Sequence, residues 1–330
     1  MDFRDYRGIQ GQARAALGDA KQNPRRLAAL YAGVSGLLLL AVALVNLFLE
    51  GQIAGTGGLG GIGLRSVLSA VHTMLRFGVS AVLPFWTWGF LSAVFQIARR
   101  QTVGPKTLLD GFRLFGPVLR LTVLKDGFFL LLALVCAYPA MGIFMLTPLS
   151  EPMMELLLPV LTETADMTQV LSDTTRIAAM ERAMIPMLAI YAVLYLVAAV
   201  PFFYRMRMAE FALLDAPAEG AMAALRKSMR LTRGRVRSLI GLDLRFFWYY
   251  LGVVGIGVLA YGDRLLPLLP VSLGGQTAFL VCYILHLVCQ FAFTCLAEIR
   301  VQTVYAVYYN TLCSAPRPPS AGKGQMPWNL

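Results

Sequence analysis

From residue 27 onward the chain alternates long apolar runs with short polar connections. The runs cover 27–49, 77–97, 121–146, 185–204, 238–260 and 277–296. An α-helix rises about 1.5 Å per residue, so about 20 residues cross a hydrocarbon core of about 30 Å. The pattern predicts an all-α polytopic membrane protein with six transmembrane helices and amphipathic interfacial helices on the cytoplasmic side. Pro84 is expected to kink the second helix, with Trp86 and Trp88 packing mid-span, and the sixth helix can continue to Tyr309.

The connections have periodicities of their own. A short surface helix is expected over 13–17. The segment GQIAGTGGLGGIG (51–63) follows no strand and ends in no GK[ST], so it reads as a connector and not a phosphate cradle. A short helix from Arg65 then leads into the second run. In 104–120, Leu108, Phe112, Phe115 and Leu119 form an apolar stripe opposite Lys106, Asp110, Arg113 and Arg120. This predicts a surface helix broken near Gly116-Pro117. Residues 147–183 are acidic, and Leu156, Leu157, Leu158, Val160 and Leu161 predict a helix lying on the outer surface.

The most informative stretch is 217–251. Asp215 is the expected N-cap of its helix, with Pro217 and Glu219 in the first turn. Met222, Leu225 and Met229 form one apolar stripe, and Arg226, Arg230 and Arg233 form a second with Lys227 beside it. Gly234 is expected to break this helix before the fifth span. Such a helix suits a membrane surface, its cations among anionic headgroups or on a protein partner. The plainer alternative is that these cations only hold a loop in the cytoplasm.

Composition agrees with the apolar pattern. Of the 330 residues 58% are hydrophobic and 14% charged, against about 45–50% apolar and about 25% charged in soluble domains. The net charge of +11 lies in blocks between apolar runs, not interleaved with stacking aromatics, so nucleic acid is not an expected partner. Most of the 29 Lys and Arg fall before the first run, between the second and third, between the fourth and fifth, and after the sixth. Alternate connections therefore agree that both termini are cytoplasmic. The predicted organisation is a cytoplasmic segment (1–26), a membrane domain (27–312) and a disordered tail rich in Pro, Gly and Ser (313–330). The polar start and the length of the first run argue against a cleavable signal peptide. Cys136, Cys282, Cys289, Cys295 and Cys313 contain no CxxC pair and read as apolar thiols, with no metal site or disulfide framework.

One local pattern recurs. Gly116 precedes Phe128-Phe129 by twelve residues, Gly234 precedes Phe246-Phe247 by twelve, and Asp126 and Asp243 sit just before these pairs. This predicts repeated units of surface helix and span. Ala224-Leu225, Ser228, Met229, Gly234, Leu239, Leu242-Asp243-Leu244, Phe246 and Trp248 resemble the signature of the domain-of-unknown-function 975 family, with Ala13–Leu17 and the segment around Phe112 resembling its earlier parts. Arg245 and the long acidic loop depart from that pattern. The resemblance implies a bacterial integral membrane protein of the inner (cytoplasmic) membrane and no established activity. The layout is more remotely similar to membrane domains of glycerophosphodiester phosphodiesterases, without their catalytic domain.

Polar groups inside a bilayer are costly and mark function or helix association. His286, Gln290, Thr294 and Glu298, four apart, are expected to form a polar strip on the sixth helix, and Asp243 and Arg245 to enter the fifth. An Arg245–Glu298 pair is expected, with Asp243 capping the surface helix or binding its arginines. Nucleotide loops, Ser or Cys triads, HExxH and paired catalytic carboxylates are absent from the sequence, so a non-enzyme without cofactor is expected. The leading expectation is a membrane scaffold or accessory protein engaging anionic lipid, or a membrane or cytoplasmic protein partner, through Arg226, Lys227, Arg230 and Arg233. The alternatives are a small transporter using the sixth-span strip and the membrane domain of a lipid-processing enzyme.

Overall fold

The computed structural model describes residues 6–55, 60–151, 153–155, 158, 174–261 and 275–314, and no strand occurs among them. Helices α1 (Tyr6–Gly18), α2 (Pro24–Gly55) and α3 (Gly60–Ala98) precede a 3-10 turn (Pro105–Leu109) and the single turn α4 (Asp110–Arg113). Then come α5 (Phe115–Leu146), α6 (Thr174–Met206), the short α7 (Ala209–Asp215), α8 (Gly220–Thr232), α9 (Val236–Arg245) and α10 (Phe247–Leu259). Helix α11 (Gly275–Phe293) passes through a π turn (Thr294–Glu298) into α12 (Ile299–Ser314).

Five helical stretches are long and apolar enough to cross a membrane: Pro24–Leu49, Ser66–Ala98, Phe115–Leu146, Arg182–Asp215 and Phe279–Ser314. The expected fifth span is not one straight rod, because α9 and α10 meet at a 65° bend. Phe246 leaves helical geometry there (φ −98°, ψ 19°), and its N–H closes a tighter turn on the Asp243 carbonyl at 2.9 Å. The chain is an all-α, multi-pass membrane protein, with a sixth crossing if the bent pair is counted as one.

Other expectations shift by a few residues. The surface helix at 13–17 grows to the whole of α1. The glycine-rich connector shrinks, since α2 runs to Gly55 and α3 starts at Gly60, passing through Arg65 and Pro84 as one helix; 56–59 lie outside the described residues. The break expected at Gly116-Pro117 falls at Leu114, because Pro117 sits in the first turn of α5, where no intrahelical N–H is needed. The proposed repeat is not mirrored in the backbone: Phe128-Phe129 lie inside unbroken α5, whereas Phe246-Phe247 straddle a bend. The outer helix expected around Leu156–Leu161 lies largely outside the described residues, as does the tail from 315.

The fold divides into two compact units: Met1–Val118, Glu210–Ala224 and Arg237–Leu330 form one, Leu119–Ala209 and Leu225–Val236 the other. In the first unit α3 changes character halfway. Val67, Val71, Met74 and Phe77 are exposed, as lipid-facing residues are, whereas Phe85, Trp88, Phe90, Val94, Phe95 and Ile97 are buried. The same change occurs along α11 and α12: Val281, Leu285 and Val288 are exposed, and Ile299 to Leu312 are mostly buried. The buried halves pack on each other and on α1, whose inner face is Ile9, Ala13 and Ala16. The second predicted run (77–97) therefore straddles a lipid-facing part and a protein core, and apolarity alone does not separate the two solvents.

Two contacts set this core. Glycines 89 and 111 let α3 and the 104–113 segment touch backbone to backbone; a Cβ on Gly89 would lie 1.8 Å from the Leu108 carbonyl oxygen, and one on Gly111 1.9 Å from that of Phe85. Asp110, expected to face outward, turns in to accept from Ser92 Oγ (3.2 Å) and Gln96 Nε2 (3.3 Å). At the far end of α3, Arg99 donates to Asp215 and to Asn310 Oδ1 (3.2 Å) and lies over the Phe95 ring at 4.1 Å. Tyr309 donates to the second Asp215 oxygen at 2.9 Å. Asp215 is thus the last residue of α7 and not the N-cap of the following helix, whose preceding turn starts from Ala216.

Gly89→Ala and Gly111→Ala should each lower stability by about 1–3 kcal/mol through overpacking, whereas Gly78→Ala on the same α3, where a Cβ meets nothing within 4 Å, should be tolerated. Thermal unfolding of the detergent-purified variants checks this; equal tolerance at 78 and 89 would contradict the close contact.

Candidate functional site

In the second unit the C-terminal half of α8 lies against the end of α6. Ser228 Oγ donates to the Arg205 carbonyl at 2.6 Å, and Thr232 Oγ1 reaches the same oxygen at 3.3 Å and the Ser228 carbonyl at 2.9 Å. The first two satisfy the Arg205 carbonyl, freed where α6 ends, and the third lies within α8. Gly234 ends α8 in the left-handed region (φ +74°), with the Arg235 N–H on the Thr232 carbonyl, so the expected break is where glycine is needed. Ser228 and Gly234, two of the signature residues, thus have structural tasks.

The faces of α8 differ from the two predicted stripes. Ala221, Ala224, Leu225, Ser228 and Thr232 are buried. Met222, Arg226, Met229, Arg230 and Arg233, at spacings of four, three, one and three, share the opposite, exposed side. Met222 (52% exposed) and Met229 (38%) therefore stand among the arginines, at the edge of the buried side where Leu225 sits. The inner side is seated by the Ser and Thr bonds, two alanines and Leu225, and the other long side chains point away. Arg226, Arg230 and Arg233 have no carboxylate partner among the described residues. Arg205, Met229, Arg230 and Arg233 surround an open cleft of about 400 Å³. Lys227 flanks this face and is half-buried.

The intramembrane polar residues are in the first unit. His286 Nδ1 lies 2.7 Å from the Ile256 carbonyl, tying α11 to α10. Gln290, one turn further along the same side of α11, is exposed. Thr294 donates to Glu298 Oε2 at 2.8 Å across the π turn, which puts Glu298 out of phase with the strip read at spacings of four. The expected Arg245–Glu298 pair does not form: the Arg245 guanidinium lies over the Tyr6 ring, 4.7 Å from its centroid. Tyr6 also donates to the Ser238 carbonyl at 3.0 Å, so α1 holds both ends of α9. Asp243 accepts from the hydroxyls of Tyr250 (3.2 Å) and Tyr305. These contacts associate helices.

Several participants escaped sequence reading. Tyr250, Tyr305, Tyr309 and Tyr6 are ordinary aromatics until their hydroxyls are placed. Arg205, counted only as a topological cation, forms a wall of the cleft. The five cysteines are free, with Cys136 buried and Cys313 exposed, and among the described residues no group of His, Cys, Asp and Glu could hold a metal.

Because Arg245 and Glu298 have separate partners, exchanging their charges should give no mutual rescue. The Arg245→Glu, Glu298→Arg double variant should accumulate no better than the poorer single variant; recovery in membrane fractions would restore the direct pair.

No curated protein and no solved structure matches the chain. The family model described as Protein of unknown function (DUF975) matches residues 19–315, most of the chain and all of the described elements after α1. With α8, Gly234 and the Asp243-containing α9 inside the matched range, the chain belongs to the DUF975 family.

Proposed function

We propose that the protein is a non-enzymatic scaffold or accessory protein of the bacterial cell membrane, whose α8 engages anionic lipid headgroups on the cytoplasmic side. The observation that carries this reading is the exposed face of α8, where Arg226, Arg230 and Arg233 lack carboxylate partners among the described residues and alternate with Met222 and Met229. Guanidinium forks suit phosphate oxygens, and the two thioether side chains can enter the acyl boundary beneath them. Arg205 adds a fourth cation at the same level. His286 is engaged by the Ile256 carbonyl at a helix contact, which gives the transport alternative no comparable support.

The orientation has support of its own. Helix α1 packs on α12 and on the end of α3, Arg100 lies 3.6 Å from Asp19, and Arg99 meets Asn310. Segments read independently as cytoplasmic from their cations therefore gather at one end of the first unit. This favours both termini on one side, with α9 and α10 together making one bent crossing.

A cationic side chain near an anionic surface is worth about 1 kcal/mol. Neutralising Arg226, Arg230 and Arg233 to Gln should therefore reduce the preference of the reconstituted protein for spin-labelled phosphatidylglycerol over phosphatidylcholine by at least about tenfold. High salt should do the same to the unaltered chain. An unchanged preference in the triple variant would exclude lipid binding by α8 and leave a protein partner for that face. A reporter fused after Leu330 should be active only in the cytoplasm; activity only outside the membrane would overturn the orientation.

A further inference from the structure

The first unit contains a second cleft, of about 500 Å³, between α1, the start of α2 and the junction of the π turn with α12. Its walls carry three cations, Arg14, Arg25 and Arg300, and no Asp or Glu. All three arginines are exposed, and none has a carboxylate partner among the described residues. The nearest acidic side chains on the same elements are engaged elsewhere: Asp19 lies by Arg100 and Glu298 accepts from Thr294. The floor is apolar, with Leu17, Ile299 and Val304 among its residues.

Two irregularities meet here. Phe246, where α9 and α10 bend by 65°, lines the cleft, and so does Cys295 of the π turn. Isolated π turns are rare and concentrate at functional sites, because the extra residue interrupts side-chain stacking and opens space beside the helix. The depth also fits. Arg25 lies in the first turn of α2, and Arg300 lies about one hydrocarbon thickness beyond Phe279, the start of the last apolar stretch. Both are at headgroup level. Asn23 accepts from the Arg25 N–H at 3.0 Å, capping α2 so that the positive end of its dipole adds to the same field.

We infer that this cleft binds one phosphate-bearing amphiphile, an anionic glycerophospholipid, with its phosphate among Arg14, Arg25 and Arg300 and its glycerol and first methylenes on the Leu17–Ile299–Val304 floor. Three guanidiniums with no acid among them favour an anion of more than one acceptor oxygen, and phosphate suits guanidinium forks. The apolar floor distinguishes a lipid from a free anion, and the volume lies within the range of ligand pockets, about 300–1,000 Å³. This inference does not depend on the reading of α8, whose arginines belong to the other unit.

The test uses the full chain in nanodiscs of phosphatidylcholine with a minority of phosphatidylglycerol, released into native mass spectrometry. One phosphatidylglycerol should remain bound per chain. The Arg14→Gln, Arg25→Gln, Arg300→Gln triple variant should lower that occupancy by at least about tenfold, and Leu17→Glu, which places a carboxylate on the floor, should do likewise. Arg226→Gln, Arg230→Gln, Arg233→Gln should leave it unchanged, which separates this site from α8. Should the triple variant misfold, Arg300→Gln alone, away from α1, should lower occupancy by about fivefold with an unaltered Tm. Unchanged occupancy in the folded variants would overturn the inference. So would displacement of the lipid by glycerol phosphate at equal concentration, which would mean a site for a free anion.

Discussion

The first unit depends on one charge-assisted contact, the Arg99 guanidinium on the Asp215 carboxylate. Three helix ends meet there, since Arg99 closes α3, Asp215 closes α7, and Tyr309 and Asn310 of α12 bond to the two of them. Each ion is partly buried, so neither is fully hydrated, and each needs the other's donors or acceptors. Hydrogen bonds to charged groups contribute about 1.5–3 kcal/mol each when both partners are present, and losing one partner costs more than the bond was worth. The stacking of Phe95 under Arg99 and beside Tyr309 covers the pair and fixes its geometry. Because the partners are 116 and 211 residues apart in sequence, this single locus closes two long loops of the unit.

Around that locus the protein works in two solvents. Where the helices face hydrocarbon, apolar side chains remain exposed in the fold and make few contacts; only 6% of the most apolar window of Phe279–Ser314 is buried, against 44% for that of Ser66–Ala98. Lipid tails satisfy such surfaces as well as protein does, so tight packing is not required there. At the cation-rich end water replaces lipid, and the same kinds of residue have to be buried against one another. Close approach through Gly89 and Gly111 and the inward turn of Asp110 belong to this second regime.

Both proposed binding surfaces lie on cation-bearing segments. Helix α8 presents arginines and methionines on one exposed side because its inner side is filled by Ala221, Ala224, Leu225, Ser228 and Thr232. The bend at Phe246 and the π turn at 294–298 sit beside the cleft next to α1. In both places guanidiniums stand without acids among the described residues, over or beside apolar surface. That arrangement is stable beside an anionic interface.

The sequence by itself determined the all-α, multi-pass class, the family, the hydrophobic centre of each described span and the glycine stop at Gly234. These follow from composition and short-range periodicity, which need no knowledge of distant partners. Only the tertiary structure decided which apolar residues face protein and which face lipid, because hydropathy scores Phe77 and Phe95 alike. It alone turned Met222 and Met229 outward, bent the fifth span, shifted Glu298 by a π turn, moved Arg245 onto Tyr6, and made Asp215 a partner of Arg99 and not a helix cap. Each of those outcomes depends on a contact between residues far apart in the chain or on a local departure from ideal helix geometry, and a periodic reading of one segment at a time contains neither.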